Sequence, residues 1–320
     1  MPPLSPETLT LALTCFVSYL CVTLPSLLLG TLISSLLLVW TDRQRWIGRL
    51  PQNRLLGSLL GAGLGILFPL GGVGAAPVAR RLLRQGAPLP VVAAFWVAAP
   101  TLNWAAVVLT LTFLAGQPKL IFLRIALTWI AALLAGLWFS LYGESPTRLL
   151  REPRVKAEDT EVDPLHQSGN LHYGSEFAPL SQRSLGEKLR LSVQALGDEF
   201  LELAGIVVLT SALAALIAVF FPLAQALTWA VTPSQQVFLM LGLGAVFPLN
   251  GIFNVSFLVP YLETLWSGAL LGFLLLGAWV NLQTLGLGLA LLRGRAWLYG
   301  AILLTQFSLL AALGLNHHWG

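Results

Sequence analysis

Apolar residues run in long blocks along the chain, and polar ones gather between them. Six blocks, at about residues 9–40, 88–115, 120–142, 199–221, 268–292 and 297–316, are long enough to cross a bilayer. A hydrocarbon core of roughly 30 Å takes about 20 helical residues. A single segment in lipid must satisfy its own backbone hydrogen bonds, so all six are predicted to be helices. Two further apolar blocks, 55–69 and 235–249, are too short for a comfortable crossing, and each runs into helix breakers: FPLGGVGAAP (68–77) and FPLNGIFN (247–254). Such a segment can enter to mid-depth, break, and return as a second short helix to the side it came from. Two re-entrant hairpins are therefore predicted, with a kinked full span as the alternative.

The two breaks are in register. Phe68-Pro69-Leu70 recurs as Phe247-Pro248-Leu249 and Asn103 recurs as Asn281, offsets of 179 and 178. At the same offset the span 120–142 maps onto 298–320, and the small-residue stretch Gly30 to Ser35 maps onto the span containing Thr210 and Ser211. Agreement on one offset predicts two copies of one unit: a first membrane repeat at 1–142 and a second at 191–320. Between them, 143–190 is hydrophilic and rich in charge, Ser, Pro and Gly, and is expected to be a partly disordered linker. Its end, 184–202, has apolar residues at helical spacing and predicts an amphipathic helix leading into the next span.

Composition narrows the class. With 56% apolar and 10% charged residues in 320, the chain falls far below the roughly 25% charge of a soluble domain. Residues 1–8 contain no Lys or Arg, and the apolar run from Leu9 to Trp40 is too long for a secretory signal core. The net charge of +4 is a matter of topology and not of nucleic-acid binding. If the N-terminus is outside, with the first break re-entering from the cytoplasm and the second from the outside, sixteen of the eighteen Lys and Arg are cytoplasmic. Lys119 and Arg124 alone disagree, in what reads as a short outer turn. The return arm of the first hairpin carries Arg80, Arg81 and Arg84, whereas the matching arm at 256–267 carries none and has Glu263. The repeats are thus expected to be inverted, as in many secondary transporters, with the linker cytoplasmic and the chain in the plasma (inner) membrane.

The breaks also supply the candidate chemistry. After Gly71, Gly72 and Gly74, Pro77 is suited to the first turn of a helix beginning near mid-membrane, and Pro100 can interrupt the span 88–115 just before Thr101 and Asn103. Helix N-termini at that depth favour anionic or electron-rich ligands. Asn103 and Asn281 can both donate and accept, and either contact solute or tie broken helices together. Asn250, Asn254 and Ser256 are the polar residues of the second break. Trp96, Trp104 and Trp279 flank the breaks and can line a cavity, while Trp40, Trp46, Trp229, Trp297 and Trp319 suit interfacial anchoring. Cys15 and Cys21 do not share a helix face and are expected to pack in the core. His317 and His318 read as an interfacial tail. No phosphate-binding loop, metal cluster or nucleophile-base pair appears, and Glu263 is the only acid inside a hairpin arm. The reading is therefore not an enzyme, with no cofactor and no metal.

The stretch FPLGGVGAAPVARRLLRQGAPLPVVAAFWVAAPTLNW (68–104) resembles the predicted-permease family of the YraQ type, which includes organoarsenical efflux permeases. Pro69, Pro77, Arg80, Arg84, Gly86, Phe95, Ala98, Pro100 and Asn103 match that family's pattern. The order of spans and the central linker extend the resemblance over most of the chain. Where the family often has Cys in the turn, this chain has Gly71 and Val73. In the second copy Ser256 stands near the position of the return-arm Pro, and Ala278 and Trp279 precede Asn281 without the helix-breaking Pro. The second half is accordingly expected to be less broken than the first. The resemblance implies a permease and does not supply the substrate.

The expected architecture is an all-α polytopic membrane protein of two inverted repeats, each with three spanning helices and one re-entrant hairpin. The expected function is a permease moving a small solute, anionic or oxygen-rich, through a site between the hairpins. Its partners are that solute and the lipid bilayer, with no nucleic acid, and self-association as a homo-oligomer is compatible with the sequence. The competing readings are an integral-membrane enzyme acting on lipid-linked substrates and a scaffold subunit of a larger membrane complex.

Overall fold

The computed structural model describes residues 6–41, 46–141, 149–150, 184–221 and 223–319, and among these it contains helices and no strands. The expected linker lies mostly outside the described residues. In chain order the helices are α1 (Pro6–Trp40), α2 (Arg54–Leu67), α3 (Gly71–Gln85), α4 (Leu89–Leu102), α5 (Trp104–Phe113), α6 (Pro118–Leu141), α7 (Leu185–Phe220), α8 (Leu223–Trp229), α9 (Pro233–Val246), α10 (Asn250–Leu258), α11 (Ser267–Trp279), α12 (Leu282–Leu291) and α13 (Gly294–Trp319). Among the described residues, six segments are long and apolar enough to cross a membrane: 6–40, 89–113, 118–141, 185–220, 267–291 and 297–318.

Two of the six are composite, α4 with α5 and α11 with α12, and these occupy the most buried positions. Around them, α2 and α6 pack on α4, α9 and α13 pack on α11, and the long helices α1 and α7 lie against each other. At 36 residues α7 is continuous from Leu185, so the expected amphipathic segment and the following span are one helix, and the 190/191 boundary falls inside it. Its start is fixed by a capping box, with Ser184 accepting from the Glu187 N–H and Glu187 accepting in return.

The same local chemistry ends α2 and α9. Each runs into Phe-Pro, and proline forces the residue before it out of the helical region. Phe68 and Phe247 are extended, with ψ of 132° and 121°. In both cases the Leu that follows donates its N–H to the Phe carbonyl, Leu70 to Phe68 at 2.8 Å and Leu249 to Phe247 at 2.9 Å. A residue with positive φ then opens the next helix, Gly71 at +60° and Asn250 at +53°. These are the two residue types that tolerate left-handed backbone best.

This geometry corrects the expected helix start. The arm begins at Gly71, and Pro77 lies within α3, buried along with every residue from Gly71 to Leu83. The small residues Gly71 to Ala76 allow that early start by letting the arm pack directly on its neighbours. At the crossing of α1 and α3, a Cβ on Gly30 would overlap the Gly74 carbonyl, and one on Gly74 would overlap the Ser26 backbone. Ser26 also donates to the Leu70 carbonyl across this crossing.

Candidate functional site

Both composite spans break at asparagine. Asn103 is the N-cap of α5: its Oδ1 accepts from Ala106 N–H at 2.9 Å, while its Nδ2 donates to the Ala99 carbonyl at 2.6 Å. Asn281 repeats this for α12, accepting from Thr284 N–H at 3.0 Å and donating to the Gly277 carbonyl at 2.9 Å. One amide thus serves the unpaired acceptor of one half-helix and the unpaired donor of the next, groups that would be costly to bury alone. Pro100 lies inside α4 and does not itself make the break, which comes at Asn103. The second half is broken to the same degree without a proline, because Asn281 with Thr284 forms a full capping box. Sequence reasoning missed this by assigning the break to Pro100.

The two Gly/Pro breaks meet each other. Gly72 N–H donates to Asn250 Oδ1 at 3.2 Å, and the Gly71 Cα faces the same amide. Each break also abuts the composite span of the other half. A Cβ on Gly251 would overlap the Pro100 carbonyl, and one on Gly72 would lie against the Ala278 carbonyl and the Thr284 methyl. Gly72, Asn250, Gly251, Pro100, Ala278 and Thr284 therefore form one junction.

Two cavities reach that junction. One, of about 60 Å³, is lined by Gly72, Pro100, Ala278 and Thr284 and then by Trp96, Trp279 and Trp297. Such a space holds a few waters or a small solute. Trp297 is thus not an interfacial anchor: it stacks on Trp96 with ring centroids 4.9 Å apart. The other cavity, a groove of about 440 Å³, is lined by Cys21, Ser26, Pro69, Trp104, Asn250 and Phe253. Cys21 is exposed here and is not the core residue expected, whereas Cys15 is half-buried and packs against the cluster of Tyr19, Ala214 and Ala215.

The remaining predicted residues spread out from the junction. Thr101 donates to Thr128 of α6 at 3.2 Å, and Gly74 packs on α1. Asn254 donates from Nδ2 to the Leu274 carbonyl at 3.1 Å, whereas Ser256 is exposed and bonds only within its own turn. Pro77 touches neither cavity.

The largest omission of the sequence reading is Arg124. It does not sit in an outer turn: it lies in α6, 1% exposed, and donates to Thr110 Oγ1 at 2.8 Å, the Gly251 carbonyl at 2.7 Å and Asn254 Oδ1 at 3.0 Å. The signal was available, since an Arg inside an apolar span rarely faces lipid. Glu199 was missed too, a carboxylate 6% exposed in α7. It lies 3.6 Å from Arg81, and one turn further Glu202 takes a bidentate pair from Arg80 at 2.8 and 3.0 Å. Arg81 also donates to Ser34 of α1 at 3.2 Å, so at this end α3 is tied to α7 by charge and to α1 by a hydrogen bond.

The sequence profile of the predicted permease family matches residues 8–317, which takes in every helix described above except the first two residues of α1 and the last two of α13. The chain belongs to the predicted permease family. It is 27% identical over 282 residues to the UPF0718 protein YcgR of Bacillus subtilis (strain 168), covering 88% of each chain. It is 21% identical over 280 residues to a protein of Streptococcus mutans serotype c (strain ATCC 700610 / UA159), covering 88% of this chain and 86% of that one. The Streptococcus protein carries the provisional name of two-component membrane permease complex subunit. No solved structure matches. This permease is an integral membrane protein, and its junction of breaks lies among its most buried spans.

Proposed function

We propose that this permease moves a small anionic or oxygen-rich solute across the plasma (inner) membrane through the junction of the two breaks. The observation that carries the reading is that separate cavities reach the junction, one lined by Gly72 and Thr284 and the other by Pro69 and Asn250. Irregular backbone at membrane depth is tolerated where protein or a water-filled cavity surrounds it, and the burial of the breaks together with the two cavities beside them supports this reading. The breaks are the layer that must part or shift for solute to pass.

In this reading the two halves are inverted copies, and each break sits on a hairpin that returns to its own side. Several pairings agree with that symmetry at offsets of 178 or 179: Asn103 to Ala99 with Asn281 to Gly277, Gly251 against Pro100 with Gly72 against Ala278, and the two Leu-to-Phe turns. The charge distribution then makes the Trp-lined cavity cytoplasmic and the Asn250 groove external. The linker lies on the cytoplasmic side.

The amides of Asn103 and Asn281 are committed to capping, which favours a positioning role for them and leaves Asn250, Thr284 and the half-helix ends nearer the path. The name of the Streptococcus relative supports a second reading, in which this chain is the membrane subunit of a two-protein permease.

Flux decides between the two. Proteoliposomes holding only this chain are expected to take up members of a panel of small carboxylates, phosphonates and polyols faster than empty liposomes. Gly72→Val, which crowds Thr284 and the Ala278 carbonyl, is expected to remove the difference. No uptake by the chain alone, with uptake restored by a co-purified partner, would establish the subunit reading.

A further inference from the structure

Among the buried arginines of the described residues, Arg80 and Arg81 each have a carboxylate partner, and Arg124 has none. Its three acceptors are a hydroxyl, a backbone carbonyl and an amide oxygen, and its Nε has no acceptor at all. Neutral dipoles solvate a guanidinium without cancelling its charge. A buried ion without a counter-ion is among the most unfavourable arrangements inside a membrane protein, and it marks function where it occurs.

The charge is placed on the break. Arg124 reaches from α6 of the first half to hold Gly251 and Asn254 of α10 in the second. One turn before Asn254, Asn250 is 2% exposed, lines the groove, and has an unpartnered Nδ2. The first turn of α10 therefore joins a full positive charge to a surplus of donors, and no described side chain supplies the anion.

We infer that Arg124 is the fixed charge that sets solute preference at the break junction, and that the ligand it selects is a small oxyanion held through Asn250. This assignment rests on the proposed path through the breaks. Arg124 acts through α10, holding the Gly251 carbonyl in place while its field reaches the groove. A unit charge acting over roughly 8 Å at an effective dielectric near 20 changes affinity about thirtyfold.

The test uses the full chain in nanodiscs. Its thermal midpoint is measured in sodium formate, methanesulfonate, sulfate and phosphate against chloride at equal ionic strength. At least one oxyanion is expected to raise the wild-type midpoint. Arg124→Lys is expected to keep that response, and Arg124→Gln to need about thirty times more anion. Asn250→Asp retains an acceptor for Gly72 N–H and supplies an internal carboxylate, so it is expected to abolish the response in a chain that still folds. Absence of any oxyanion response in wild type, or an equal response in Arg124→Gln and Asn250→Asp, overturns the assignment. Flux in proteoliposomes is scored separately: an Arg124-dependent response without flux supports this site and sinks the transport reading, and flux without Arg124 dependence does the reverse.

Discussion

Asn250 carries two burdens that can be separated by substitution. Its backbone sits at φ +53°, and its Oδ1 accepts the buried Gly72 N–H at 3.2 Å. Removing the acceptor costs about 1–3 kcal/mol, since the N–H is then buried without a partner. Its Nδ2 has no partner, so nothing is lost there. Alanine loses the acceptor and also pays about 1–2 kcal/mol for left-handed backbone, for a total of about 2–5 kcal/mol. Glycine loses the same acceptor without the backbone penalty, offset by about 0.5–1 kcal/mol of extra unfolded-state entropy. Asn250→Gly is therefore expected to be more stable than Asn250→Ala by about 1 kcal/mol, although it removes more of the side chain. Intrinsic tryptophan fluorescence of the purified chain on heating checks this, with a gap of about 2–4 °C in midpoint expected. Equal midpoints, or Asn250→Ala above Asn250→Gly, would refute the positive-φ account of the second break.

Three further outcomes follow from the packing. Glu199→Gln leaves the buried Arg81 without its carboxylate, and Glu202→Gln does the same to the buried, bidentate Arg80; both are expected to lower the midpoint clearly, with the smaller loss at Glu202, whose half-exposed side lets water reach the pair. Gly30→Ala forces the α1–α3 crossing apart at the Gly74 carbonyl and is expected to cost about 1–3 kcal/mol, while Gly63→Ala, with open space at its Cβ, is neutral or stabilising in the same melt. Asn103→Ser keeps a neutral side-chain acceptor for the Ala106 N–H but gives up the amide donor to the Ala99 carbonyl, so its stability is expected to fall between wild type and Asn103→Ala.

The spans were legible because the bilayer imposes one length and one polarity on every crossing, and five of the six apolar blocks fall within a few residues of the long helices; the block at 199–221 misses the start of α7, which begins at Leu185. The positions of the breaks were legible for a similar reason: Phe-Pro followed by Leu and Gly or Asn has few backbone solutions. Which residue made each break was harder to see. Proline is conspicuous in a sequence, but an Asn cap needs only its amide and two nearby backbone groups, so Asn281 breaks its span with no proline before it. Arg124 was read by its position along the chain, where only a three-dimensional arrangement reveals that Thr110, Gly251 and Asn254 converge on it. Glu199 was missed because its partner Arg81 lies more than a hundred residues earlier. Local chemistry announces itself in sequence, while pairings between the two halves do not.

The claim that the break junction divides two compartments is tested most directly by sidedness. Cys15 and Cys21 are replaced by Ser, and single cysteines are placed at Ile252, which lines the groove, and at Thr284, which lines the Trp-rich cavity. A membrane-impermeant maleimide is then applied to right-side-out and inside-out vesicles. Position 252 is expected to label only from the outside and position 284 only from the inside. Labelling of both positions from the same side would contradict it.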